Sequence, residues 1–320
     1  MIELSGLASY GVVLLTTAAI YAILSLALNV QWGMTGLFNI GIAGFYAVGA
    51  YTAAIVTTPA STEHLGGFGM PFVVGLLAAM VVSGLLAVVI GLITLSLRSD
   101  YLAIASIGIA EIVRLIFKNE AWIGNGVRGI PGIVRPISDD PLVYLGVVAV
   151  ILVLVYIAVE RIRKAPWGRV LRAIRENELG TQAAGKNVYR FRLEAFILGS
   201  VLMGLGGALY AHFIGFISPE AFEPVFATFL IWVMLIAGGS GSNKGAVLGA
   251  FVIWLVWSGT ELITGLLPAA YVTQGSALRV LLIGVLLQVI LLRRPQGLLP
   301  EERPQVRSTP AAVAGEDGDA

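Results

Sequence analysis

From Ser9 to Arg293 the chain is a succession of apolar stretches, most of them about as long as a bilayer is thick. A helix needs roughly 20 such residues to cross a hydrocarbon core of about 30 Å. On that length, the stretches near 9–30, 36–57, 71–97, 101–118, 141–159, 193–216, 223–238, 245–267 and 277–293 read as membrane helices. Breakers lie between them, at 33–36, 59–71, 125–136 and 238–245 and at Pro219 and Pro268. No period-two alternation runs through these stretches, which argues against a membrane β-barrel. Lipid offers no water to an unpaired peptide group, so an apolar chain of this kind satisfies its backbone in helices.

The expected fold class is therefore all-α: a polytopic transmembrane helical bundle of about eight to ten spans over residues 1–300. The stretch 36–57 is rich in Gly and small side chains, and it admits a re-entrant reading as well as a spanning one. The segment 301–320, rich in Pro, Ala and acidic residues without apolar periodicity, is expected to be a disordered tail. Composition excludes the soluble alternative. Only 12% of the residues are charged, against roughly a quarter in soluble domains. The first residues have neither a basic segment nor a small-residue cleavage site, so no cleavable signal is expected.

Charge sets the expected orientation. Nine Lys/Arg against three Glu lie in residues 160–192, the one long basic interruption. Positive residues favour the cytoplasmic side, which places this loop and the Arg293–Arg294 end inside. An even number of spans separates the two, so they agree, and the same count puts the N-terminus outside and Arg98 and Lys244 inside. The loop 119–140 then lies outside, although Arg128 and Arg135 within it run against the rule.

Few groups suggest chemistry. The absence of Cys removes disulfides, thiolate metal sites and cysteine nucleophiles. His64 and His212 have no acidic or histidine neighbour at ligand spacing, so no metal site is expected. GGSGSNKG at 238–245 fails the G-x-x-x-x-G-K-[ST] frame and reads as a turn between spans. No nucleophile elbow or H-E-x-x-H motif occurs, and no basic face interleaved with aromatics offers itself to nucleic acid. The chain is accordingly not read as an enzyme. Within the spans, Glu111 and Arg114 stand three apart on one helix face and are expected to pair. Glu261 has no partner within one turn. Such scarcity of carboxylates counts against a proton-coupled transporter. Rows of small residues (Ser200, Gly204 and Ala208; Gly207 and Ala211; Gly245 and Gly249) are expected to let helix backbones approach closely within the chain.

The weight returns to 160–192, which is too long for a plain turn. Val170, Leu171 and Ile174 share one face of a helix beginning near Trp167, with Arg172 and Arg175 at its edge. After Gly180 comes the small-residue segment TQAAG. Two readings stay open on physics alone: a partner packs against the small residues, or the basic segment lies on anionic headgroups.

The sequence RVLRAIRENELGTQAAGKNVYRFRLEAFILGSVLMGLGGALYA resembles the cytoplasmic loop and following span of branched-chain amino acid ABC transporter permeases of the LivM type. LNVQWGMTGLFNIGIAGFYAVGAYTAA, SDYLAIASIGIAEIVRLI and RRPQGLLP are similar to three further stretches of that family. The resemblance runs from about residue 20 to 300. It implies the permease subunit of an importer in the cytoplasmic membrane, with its C-terminus inside. It also implies a heterodimer with a second, LivH-type permease, two cytoplasmic ATPases that bind ATP and Mg, and an extracytoplasmic binding protein. By the same resemblance the loop is a variant of the EAA coupling loop. Ala183, Ala184 and Gly185 would then give close packing to the ATPase, and Arg172, Arg175, Glu176 and Glu178 would set its register. Asn39, Glu111 and Glu261 are the candidates for lining the route. Related permeases carry urea, short amides or other amino acids, so the substrate stays open within that set. A self-sufficient secondary transporter or channel is the alternative of another class.

Overall fold

The computed structural model of the protein describes residues 2–60, 64–96, 99–136, 140–265 and 272–301. Arg98, Pro268, Arg303, Arg307 and the rest of the tail lie outside these residues. Twelve helices follow in order among those described: α1 (Ile2–Leu28), prolonged by a π-helical turn (Asn29–Gly33), α2 (Ile42–Thr57), α3 (Phe72–Thr94), α4 (Ser99–Asn119), α5 (Ala121–Gly124), α6 (Pro141–Lys164), α7 (Pro166–Glu176), α8 (Glu178–Ala183), α9 (Val188–Ile214), α10 (Pro224–Gly238), α11 (Asn243–Gly265) and α12 (Val272–Arg293). Among the described residues the strands form one short antiparallel ribbon, β1 (Ile130–Pro131) with β2 (Phe216–Ile217). The fold is all-α, as expected.

Among the described residues, five segments are long and apolar enough to cross a bilayer: Ala8–Gly33, Phe72–Thr94, Pro141–Lys164, Val188–Ile214 and Pro219–Gly238. The lipid side is visible in α3, where Val73, Leu77, Val81, Leu85 and Val89 recur every four residues and are all exposed. A continuous aliphatic stripe of this kind is unfavourable in water and neutral in hydrocarbon. α4, α11 and α12 have comparable lengths of 21, 23 and 22 residues but carry charges within them.

The ends of the bundle are told apart by the contacts each makes. Arg175 of α7 reaches Gly33, Glu160 of α6 reaches Asn243, and Tyr189 of α9 reaches the Leu92 carbonyl of α3. These define a loop end. At the far end, Thr57 of α2 meets His212 of α9, and Lys118 of α4 meets Glu220. The stretch 36–57 resolves the two sequence readings into a third. Residues 34–41 form a non-helical link, and α2 then runs on to the far end, where Thr57 lies. The chain runs on toward the far end of the bundle rather than returning, but only its last 16 residues are helical, about 24 Å at 1.5 Å per residue.

The centre of the bundle is α2 against α9, flanked by α1 and α3, and its spacing is set by glycine. A Cβ on Gly49 would meet the Gly204 carbonyl, and one on Gly204 would meet Ser83 of α3. One on Gly207 would meet the Tyr46 carbonyl. Gly245 and Gly249 lie in the same way against Gly238 at the α10–α11 crossing. The small-residue rows therefore pack within the chain. The 238–245 run is a tight turn: α10 ends at Gly238, α11 begins at Asn243, and Gly239 and Gly241 carry positive φ.

Arg135 explains one of the two positive charges opposed to the inside bias. Its guanidinium donates to the Phe213 carbonyl at 3.0 Å and lies over the Phe213 ring. It thus covers carbonyls at the C-terminal end of α9, where the helix dipole favours a cation.

Candidate functional site

The basic interruption folds into two short helices outside the bundle. Pro166 opens α7, where its missing N–H costs nothing. Leu171 and Ile174 are buried against the bundle, as their spacing predicts, and Val170 is half-buried. Asn177 ends α7 and caps α8, its side chain accepting from the Gly180 N–H at 2.8 Å. α8 closes on Gly185 at φ +78°, a left-handed position natural to glycine, and the Lys186 N–H returns to the Thr181 carbonyl.

Several charged residues of this loop tie it to the rest of the chain, while Arg161, Lys164, Arg169, Lys186 and Arg190 are exposed. Arg175 donates to the Gly33 carbonyl and to Glu301 at 2.8 Å. Arg172 lies 4.0 Å from the same carboxylate. Glu178 accepts from Arg192 at 3.1 Å, and exposed Glu176 stands 3.9 Å from Arg175. Small and apolar groups point outward as well. Ala183, Ala184 and Gly185 are exposed, and so is Leu179, at 78%. Leu179 escaped the sequence reading. Its one signal was a lone leucine off the Val170–Leu171–Ile174 face.

Glu301 is the other residue missed. As the first residue of the presumed tail it looked unattached, yet it holds Arg175 of α7, which also bonds Gly33 in the turn that prolongs α1. The RRPQGLLP segment carries it there, because the N–H groups of Leu298 and Leu299 bond the carbonyls of Ala237 and Gly238 at 2.9 Å each. Behind it lies a polar relay. Glu160, paired with Arg163 at 2.6 Å, accepts from Asn243 at 2.8 Å. The Asn243 side chain accepts from Asn29 at 2.9 Å, and Asn29 accepts from the Gly241 N–H. Replacing Asn243 by Leu strands Asn29 and deprives Glu160 of a donor. The expected loss is about 2–3 kcal/mol, read as a lower unfolding midpoint in mixed detergent. An unchanged midpoint would remove the relay as a structural element.

Asn39 sits at the break before α2 and is fully buried. Its side-chain amide donates to Gln31 at 2.8 Å, its oxygen accepts from the Gly41 N–H, and its carbonyl accepts from the Trp232 indole at 3.1 Å. Gln31 in turn donates to the Phe196 carbonyl of α9. Glu111 and Arg114 form the expected pair, doubly bonded at 2.5 and 2.9 Å. Glu261 has a partner the local rule missed, Arg279 of α12 at 3.3 Å, which also lies 3.9 Å from the Trp257 ring centre. The structure brings Asn39 and the α4 pair to neighbouring elements and leaves Glu261 on α11 against α12. His212 is buried, bonded to Thr57 and to the Ala208 carbonyl.

A groove of roughly 520 Å³ opens beside Asn39, lined by Phe38, Ile40, Ile107, Phe229 and Trp232 among others. A cavity of roughly 800 Å³ lies beneath α7, walled by Arg169, Arg172, Arg175 and Glu301.

A family model described as branched-chain amino acid transport system / permease component matches residues 12–291. The chain is 32% identical to the high-affinity branched-chain amino acid transport system permease protein LivM of Escherichia coli K12, over 94% of this chain and 72% of that one. It is 30% identical to the probable branched-chain amino acid transport permease protein LivM of Methanocaldococcus jannaschii, over 88% and 91%. A more distant match, at 28% over 63% of this chain and 59% of the relative, is the autoinducer 2 import system permease protein LsrC of an Enterobacter species. No solved structure matches. A multi-pass helical membrane protein whose matched region runs almost from end to end of its apolar part is a permease, and the chain belongs to the branched-chain amino acid transport system permease family.

Proposed function

We propose that this chain is one membrane half of an ATP-driven importer that carries branched-chain or related amino acids into the cytoplasm. A second, LivH-type permease completes the pore. Two ATPases dock from the cytoplasm with ATP and Mg, and an extracytoplasmic binding protein delivers the substrate. The observation that carries this reading is the surface of α8. A helix held outside the bundle offers Leu179, Ala183, Ala184 and Gly185 to solvent, and its one charged residue, Glu178, pairs with Arg192. An exposed leucine among small residues suits insertion into a groove on another protein, and α8 itself carries no basic residue with which to hold anionic headgroups. On this reading the loop end and the C-terminus are cytoplasmic, and residues 160–192 are the coupling loop. Glu178 and Glu176 flank the contact, while Arg172 and Arg175 tie it to Glu301 and α1.

The test is uptake by cells expressing this chain with the products of its neighbouring genes. Leucine uptake should fall to background when ATP is depleted or the ATPases are omitted, and persist when an ionophore collapses the proton gradient at constant ATP. Uptake by this polypeptide alone that follows the ion gradient would replace the importer with a secondary transporter. The substrate is read from ligand binding to the purified binding protein, with urea, short amides and other amino acids as competitors.

A further inference from the structure

We propose that the translocation route follows the face where α4, α10 and the 34–41 link meet, and that the Trp32–Phe38–Trp232 cluster is its narrow part, passing an amino acid by its aliphatic side chain. This rests on the importer reading and deepens it. Four observations fall on the one face.

The first is the aromatic cluster itself. Trp32 lies 5.3 Å from both Phe38 and Trp232, and Phe38 meets Trp232 edge-on at 5.0 Å. Tryptophan in membrane proteins favours the headgroup belts. Here two flank a groove shared with Ile107, eight residues into α4 and so about 12 Å along it.

The second is the backbone. Residues 34–41 leave the helical pattern at the depth of that groove. Non-helical backbone within a membrane is tolerated where protein buries it or where it lines a water-filled space. The link does both. Asn39 turns into the bundle, bonding Gln31 and the Gly41 N–H, while Phe38 and Ile40 line the groove.

The third is α4. Glu111, Arg114 and Lys118 follow Ile107 at i+4, i+7 and i+11, so a charged stripe continues the groove toward the far end. Lys118 meets Glu220 there at 3.0 Å. The lipid side of the same helix is marked by Ile112 and Ile116, which are 58% and 44% exposed. Ionised groups face a bundle interior or a wet cavity rather than hydrocarbon.

The fourth is continuity at the other end. Ile236 lines both the groove and the arginine-walled cavity under α7. Arg172 there has a buried Nε without a hydrogen-bond partner, and Arg169 is exposed beside it.

In sequence the face offers charged groups outside, an aromatic constriction, then arginines inside. A zwitterion with an apolar side chain matches that order. Its carboxylate and ammonium find ionic partners at either end, and its side chain replaces water against the aromatic rings at the middle. A strongly polar solute of the same size meets mainly rings and aliphatic groups there, with Thr228 the one hydroxyl lining the groove.

Because the natural chain has no cysteine, single cysteines report this directly. Ile107→Cys and Phe229→Cys probe the groove, and Ile112→Cys and Val150→Cys probe the lipid side. Each is expressed in the assembled transporter and treated with a charged, water-soluble methanethiosulfonate. The groove cysteines should react at least tenfold faster than the lipid-side pair, leucine during turnover should slow them, and modification should block uptake. Equal, slow reaction at all four positions would overturn the route. So would groove cysteines open only to a lipid-soluble maleimide, which identifies an acyl chain or a neighbouring helix as the occupant. Either result with ATP-dependent uptake intact in the unlabelled variants leaves the importer standing. A wild-type complex without ATP-dependent uptake strikes the importer reading instead.

Discussion

Gly207→Val should abolish recovery of folded protein. A Cβ at this position runs into the Tyr46 carbonyl and lies 2.8 Å from the Ala50 nitrogen, so both obstacles are backbone. A side chain in the way turns to another rotamer; a peptide group of a central helix does not. α2 and α9 must then separate, and with them the contacts of Gly49 on Gly204 and of Gly204 on Ser83. Between helices in lipid those contacts are the attraction, since hydrocarbon solvates an exposed leucine as well as a protein does. Overpacking of a side-chain core costs about 1–3 kcal/mol, and a clash relieved only by moving a helix belongs at or above the 4–5 kcal/mol tail. Gly146→Ala is the matched control. It lies in α6 with open space around it, and alanine there should be neutral or stabilise by roughly 0.5–1 kcal/mol. Monodispersity and melting temperature in detergent read both. A Gly207→Val protein that is monodisperse and melts within a few degrees of wild type would mean that the α2–α9 crossing does not set the fold.

The parts of this arrangement that sequence discloses are those with short range. Hydropathy locates the long helices because the bilayer imposes one length on all of them. The Glu111–Arg114 pair follows from i,i+3 spacing, the turn at 238–245 from its glycines, and the inward face of α7 from Val170, Leu171 and Ile174. What stays hidden is what the tertiary fold brings together. Glu261 seemed alone because Arg279 is on the next helix. Glu301 looked like the start of a tail because its partner Arg175 is 126 residues away. Asn29, Gln31 and Asn243 read as ordinary polar residues near helix ends, and only the fold joins them into a relay. The break before α2 is an intermediate case. GMTGLFNIG is rich in helix breakers, but hydropathy cannot distinguish a broken span from a re-entrant one. Leu179 went unremarked because a single leucine in a charged loop has no pattern around it. Its meaning comes from exposure, which is a property of the folded chain.

Ala184→Arg should eliminate uptake while leaving the membrane part intact, and Leu179→Asp should do the same by the opposite means. Ala184 is exposed and has φ −77°, a conformation that arginine adopts without strain. The variant therefore folds as wild type does, and any effect arises at a contact made outside the chain. Leu179 likewise touches solvent over most of its surface, so aspartate there costs the isolated permease little. Truncating or overfilling the centre of a protein interface typically costs about 2–4 kcal/mol, which at 1.4 kcal/mol per tenfold weakens docking roughly thirtyfold to several hundredfold. Uptake should fall with it, and the ATPases should co-purify with this chain in correspondingly lower yield. Gly185→Ala separates geometry from contact. It adds one methyl group, but at φ +78° it strains the turn that ends α8, so its loss should appear in the stability of the loop as well as in uptake. Wild-type uptake by Ala184→Arg, with the ATPases still bound, would place the energy input elsewhere on the molecule. The Arg175–Glu301 junction, through which α7 touches the inner end of α1, would be the next surface to test.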